Sequence, residues 1–114
     1  LALILAFSLV GAVWAEPQQW EATAYCPCVR CTDDGDGITA SGRPAESGRT
    51  VAVNWLPFGT VVRIAGQPYV VEDRGSTKHF GTKAERRKRV DVFFKTHREA
   101  REFGRQLVWV EVLP

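Results

Sequence analysis

A chain of 114 residues with 15 Lys and Arg against 13 Asp and Glu carries a formal charge of +2. That size leaves room for one domain and a short appendage, and so small an excess excludes wholesale nucleic-acid coating. The basic residues are concentrated in Lys83-Ala84-Glu85-Arg86-Arg87-Lys88-Arg89, which reads either as a solvated loop or as a surface attracting an anionic polymer.

Leu1 to Val13 is uncharged and almost wholly apolar, and Val13 and Ala15 are small residues at −3 and −1 of a cleavage point after Ala15. This pattern predicts a signal peptide over residues 1–15, truncated at its start, since the chain holds no methionine. The run of about 13 residues is shorter than the ~20 of a membrane-crossing helix; a buried core helix is the alternative. Residues 16–114 are then the mature domain, secreted or held in the cell envelope, with no stable membrane span after cleavage.

From Gln19 to Cys26 the chain alternates, with Trp20, Ala22 and Ala24 on one face and Glu21, Thr23 and Tyr25 on the other, which predicts a strand. Further strands are expected over Arg49–Asn54, Thr60–Ala65, Tyr69–Asp73, Arg89–Phe94 and Gln106–Val112. Gly66-Gln67-Pro68 makes residues 60–73 a hairpin. One helix is expected after Thr96, which with Glu99 completes a capping box, Ala100 and Phe103 facing inward and Gly104 at its end. Six short strands and one helix predict a mainly β domain closed into a barrel.

Three cysteines follow the first strand in Cys26-Pro27-Cys28-Val29-Arg30-Cys31. In an oxidising compartment, Cys26 or Cys28 pairs with Cys31 as a disulfide, closure across Cys-Pro-Cys being strained. The sharper alternative is a zinc site of three thiolates with His79 or His97. Asp33-Asp34-Gly35-Asp36-Gly37 has the composition of a calcium loop but lacks the spacing and the closing glutamate, so a turn is expected. Trp20 and Trp109, in alternating strands, are expected in the core, whereas Trp55, in a turn, is placed to stack on a sugar ring.

Asp73 and Asp91 each stand in a strand of β-branched and aromatic neighbours, where a desolvated carboxylate asks for an explanation. Strand-end aspartates also serve as turn caps. If their strands lie side by side, the two carboxyls raise each other's proton affinity, and burial adds to this. A protonated and an ionised carboxyl together make the pair that glycoside cleavage uses.

Seven segments occur in an order that resembles the 3D (Asp-Asp-Asp) domain, a family related to the catalytic domain of MltA-type lytic transglycosylases. They are Thr23-Ala24-Tyr25, Gly37-Ile38-Thr39-Ala40-Ser41-Gly42, Gly48 to Asn54, Leu56 to Thr60, Glu72-Asp73-Arg74-Gly75, Val90 to Phe94 and Ala100 to Gly104. The resemblance spans roughly residues 20–113. It implies a six-stranded double-psi β-barrel that binds peptidoglycan glycan strands and cleaves between N-acetylmuramic acid and N-acetylglucosamine, leaving a 1,6-anhydro sugar. It places the acid, then base, on Asp91 and its support on Asp73, and puts substrate contacts at Asn54, Trp55, Thr39, Ser41 and Gly75. Asn54 stands where the family has its first aspartate, and the stretch from Ser76 to Arg89 replaces the family's usual glycine-rich continuation. No cofactor is expected, and the domain is expected to be a monomer. The rival roles are a non-catalytic glycan-binding module of this fold, an interaction protein using the basic loop on an anionic envelope polymer, and a two-carboxylate hydrolase.

Overall fold

The structure, a computed structural model, describes residues 16–28 and 36–114. The expected leader and its cleavage point lie outside the described residues, as do Cys31 and residues 33–35.

Six strands form a closed barrel: β1 (Gln18–Tyr25), β2 (Thr50–Ala52), β3 (Val61–Ile64), β4 (Gln67–Asp73), β5 (Arg89–Phe93) and β6 (Gln106–Val112). Around the barrel the order is β1-β5-β2-β4-β3-β6. The pairs β1–β5 and β2–β4 are parallel and the other four antiparallel. A single helical turn, α1 (Thr77–Phe80), precedes β5, and α2 (His97–Phe103) precedes β6. No helix among the described residues is long and apolar enough to cross a membrane.

The hairpin expected over residues 60–73 is present, but its turn is Ala65-Gly66, because Ile64 pairs with Gln67. Both turn residues have positive φ, 50° and 85°, the requirement of the two-residue turn whose twist matches a hairpin. The helix after Thr96 also forms as its sequence dictates. Thr96 Oγ1 accepts from the Glu99 amide at 3.2 Å, capping the helix, and donates to Glu99 Oε1 at 2.8 Å, a side-chain variant of the expected capping box. Gly104 ends the helix at φ 65°. The turn α1 was not expected; Ser76 caps it by accepting from the His79 amide.

The interior is filled by β-branched and small residues, chiefly Ala22, Val51, Val62, Val71, Val90 and Val110, together with Trp20. Valine suits a narrow lumen because its volume sits close to the backbone. This corrects the expectation for Trp109. In β6 both alternating sets are apolar, but Val108, Val110 and Val112 face the core or its margin. Leu107 and Trp109 face outward, at 65% and 57% exposure.

Candidate active site on the outer face of the barrel

The site lies on the outside of strands β1, β5, β2 and β4, under residues 36–48. Register fixes a row across it: Thr23 pairs with Asp91, Asp91 with Ala52, and Ala52 with Asp73. The two aspartates therefore flank Ala52, whose methyl is the smallest side chain that keeps Cβ geometry there. Asp91 takes this face by alternation, since Val90 and Val92 point to the core. Asp73 takes it through a bulge: Val51 pairs with Val71, but Ala52 pairs with Asp73, so Glu72 is the extra residue. Without the bulge, Asp73 would share the inward face of Val71; bulges commonly re-aim side chains beside functional sites in this way.

Asp73 is held as an acceptor on three sides. Tyr25 Oη donates to its Oδ2 at 2.6 Å, and the amides of Ala40 and Arg74 donate to Oδ1 at 2.8 and 2.9 Å. Tyr25 comes from the end of β1, in a small cluster with Ala52 and Phe93 apart from the barrel core. Its ring meets Phe93 edge-on, with centroids 5.4 Å apart. Burial, and then the Asp73 carboxylate it bonds, push the Tyr25 phenol far above its ordinary value, so it acts only as a donor.

Asp91 has a different environment. Among the described residues its side-chain hydrogen-bond partner is Thr23, whose hydroxyl donates to Oδ1 at 3.0 Å. Burial pushes the Asp91 carboxyl up to about 6. The Thr23 bond and the Arg89 charge oppose this rise, while the Asp73 charge adds to it. The strands of the two aspartates do not lie side by side as expected, because β2 separates them, and the carboxyls flanking Ala52 have different environments: one surrounded by donors, the other desolvated.

The segment over the site is anchored by Glu72, which is 2% exposed. Thr50 Oγ1 and Arg49 Nε donate to its Oε1 at 2.8 and 3.1 Å, and the Arg43 guanidinium stands 3.3 Å from Oε2. Thr39 Oγ1 donates to the Arg43 carbonyl and lies 2.8 Å from Ser41 Oγ. Thr39 and Ser41 thereby shape the loop that presents the Ala40 amide to Asp73. A cleft of about 30 Å³ reaches Asp73 and Tyr25. It opens, through the shared residues Pro27, Asp36, Gly37, Ile38, Ala45 and Phe93, onto a groove of about 580 Å³ with Lys95 on its rim, within the range of about 300–1,000 Å³ usual for ligand sites.

Asn54, Trp55 and Gly75 belong to a neighbouring loop cluster. Asn54 Nδ2 donates to the carbonyls of Gly75 and Gly81 at 3.0 and 2.7 Å, and its Oδ1 accepts from the Gly75 amide at 2.7 Å. Its amide thus ties the loop after β4 to the end of β2. Trp55 packs against Trp20, donates to the Arg87 carbonyl at 2.7 Å and has Arg86 over its ring. A Cβ at Gly75 would run into the Phe80 ring, which would have to shift. Much of the basic run also has partners in the fold: Arg87 pairs with Glu85, and Arg89 pairs with Glu21 and donates to the His79 carbonyl.

Asp36 accepts from the Ile38 amide at 2.9 Å, a local turn of the kind aspartate forms. Cys26 and Cys28 lie beside His97 Nδ1, each 3.5 Å away, whereas His79 sits in α1. Single-residue inspection of the sequence did not select Tyr25, Thr23, Ala52 or Glu72 as site residues. The alternation in β1, which sets Thr23 and Tyr25 opposite Trp20 and Ala22, was the available signal. Compared with known protein families and curated proteins, the chain matches no family model and no curated protein. Fold and site define a closed six-stranded β-barrel with a carboxylate pair on its outer face.

Proposed function

We propose that this chain is an exported enzyme that cleaves the glycan strands of peptidoglycan, a lytic transglycosylase on a barrel of double-psi type. The observation that carries the reading is Asp91. Its half-buried carboxyl is pushed up to about 6 by desolvation, and it stands one small residue away from Asp73, which lines the cleft. A carboxylic acid that keeps its proton close to neutral pH, next to a carboxylate fixed by donors, is what protonating a glycosidic oxygen needs.

In this mechanism Asp91 gives its proton to the bridging oxygen as the bond from C1 to that oxygen breaks. The C6 hydroxyl oxygen of the same muramoyl unit closes onto C1, and its proton returns to the Asp91 carboxylate. Atoms balance without water, and the acid is regenerated. Asp73 faces the positive charge that develops at C1, and Tyr25 and the Ala40 and Arg74 amides hold it still.

Purified protein incubated with sacculi is expected to release 1,6-anhydro muropeptides, and kcat/KM should fall as pH rises through about 6, where Asp91 loses its proton. Release of reducing-end products alone would replace this reading with hydrolysis. A second reading, a glycan-binding module, is favoured by one observation: Asp73 lines the cleft and Asp91 does not. Saturable binding to sacculi without any release would establish it.

A further inference from the structure

Immediately past β1 the chain turns through Cys26, Pro27 and Cys28 and meets the first residue of α2, His97. The two Sγ atoms are 3.0 Å apart, and His97 Nδ1 is 3.5 Å from each. These ligand atoms all lie within 4.8 Å of one another, although the cysteines and the histidine are 71 and 69 positions apart in the chain. The fold brings them together independently of any ligand: the Phe94 amide donates to the Tyr25 carbonyl at 2.8 Å, bringing the segment before α2 against the end of β1.

The geometry points to a zinc-type site, a thiophilic divalent ion held by Cys26 Sγ, Cys28 Sγ and His97 Nδ1. With Zn–S about 2.3 Å and Zn–N about 2.0–2.1 Å, tetrahedral angles set sulfur and nitrogen ligands about 3.5 Å apart and two sulfurs about 3.8 Å apart. Both sulfur–nitrogen separations already match. The sulfurs need to part by roughly 0.8 Å to reach that spacing, a movement within reach of the half-buried Cys28. Charge supports the same assignment. Cys26 is fully buried, and two bare thiolates there would be costly; a divalent ion and a neutral imidazole bring the cluster to zero net charge. The site rests on these three residues, and Cys31, outside the described residues, is not needed for it. The ion clips the end of β1 to the start of α2. Because Tyr25 directly precedes Cys26, the clip also steadies the strand end from which Tyr25 reaches Asp73. Three protein ligands leave the fourth tetrahedral position to a water.

The test uses the full chain, kept reduced, and needs no enzymatic activity. Elemental analysis is expected to give one zinc per chain. Cobalt(II) in its place should show the intense visible bands of a tetrahedral ion and thiolate-to-cobalt charge transfer. His97→Ala is expected to weaken cobalt binding by more than the about 10–100-fold lost when only a residue supporting a ligand is removed. His97→Cys should keep the ion and add the charge-transfer intensity of a third thiolate, which separates ligand loss from misfolding. The assignment is overturned if the reduced chain binds cobalt no better than a Cys26→Ser, Cys28→Ser double variant, or gives only the weak bands of an octahedral ion. Peptide mapping that finds Cys26 or Cys28 in a disulfide in the exported protein, with each other or with Cys31, would overturn it as well.

Discussion

Replacing Asp91 by asparagine should make the folded domain more stable at neutral pH. In the folded chain burial raises the Asp91 carboxyl from 3.8 to about 6, so between those values the native state binds more protons than the unfolded chain. By linkage, stability from this group is fully present below pH 3.8, declines as pH rises through the window, and is lost above about 6. A displacement of about 2 units, at 1.36 kcal/mol each, amounts to ~3 kcal/mol of strain borne at neutral pH. Asparagine cannot ionise, keeps an oxygen to accept from Thr23, and has nearly the same shape. Urea unfolding of both proteins at pH 7.5 should therefore show Asp91→Asn more stable by up to ~3 kcal/mol, with the gap shrinking toward zero at pH 4. A variant equal to or weaker than wild type at pH 7.5, or a gap indifferent to pH, would refute the claim that Asp91 is a desolvated carboxyl.

Tyr25→Phe removes the 2.6 Å bond to Asp73; a hydrogen bond to a charged group is worth ~1.5–3 kcal/mol, so denaturant unfolding should register a loss of that size, with sacculus release falling too. Asn54→Asp introduces a carboxylate that turns a second oxygen toward the carbonyls of Gly75 and Gly81. It should cost ~2–4 kcal/mol, speed limited proteolysis between residues 75 and 88, and leave glycan cleavage no faster. Gly75→Ala forces the Phe80 ring aside and should destabilise by ~1–3 kcal/mol in thermal unfolding, as overpacking does.

The barrel was legible because its strands carry period-two patterns between glycine- and proline-bearing turns, and α2 because Thr96, Glu99 and Gly104 mark both its ends. Trp109 was not, since Leu107-Val108-Trp109-Val110 is apolar on both faces and only the narrow lumen decides which set turns inward. Asp73 was found as a strand-end carboxylate, but simple alternation from Val71 would aim it inward. The extra residue Glu72 in the pairing with β2 reverses that aim, and a bulge depends on a partner strand that no local pattern reveals. Tyr25 was visible as a member of the polar face of β1. Its hold on Asp73, 48 positions away, depends on β5 and β2 lying between them. Asn54 stood out in sequence for the charge it lacks; in the fold its importance is the pair of carbonyls that a carboxylate could not satisfy.

Digestion of purified sacculi by wild type and Asp91→Asn, with products read by mass spectrometry, tests the central claim most directly. The account predicts 1,6-anhydro muropeptides from wild type, declining as pH passes about 6, and none from Asp91→Asn although it folds and binds sacculi equally well. Anhydro products released undiminished by Asp91→Asn, or no release by wild type that nonetheless binds, would contradict it.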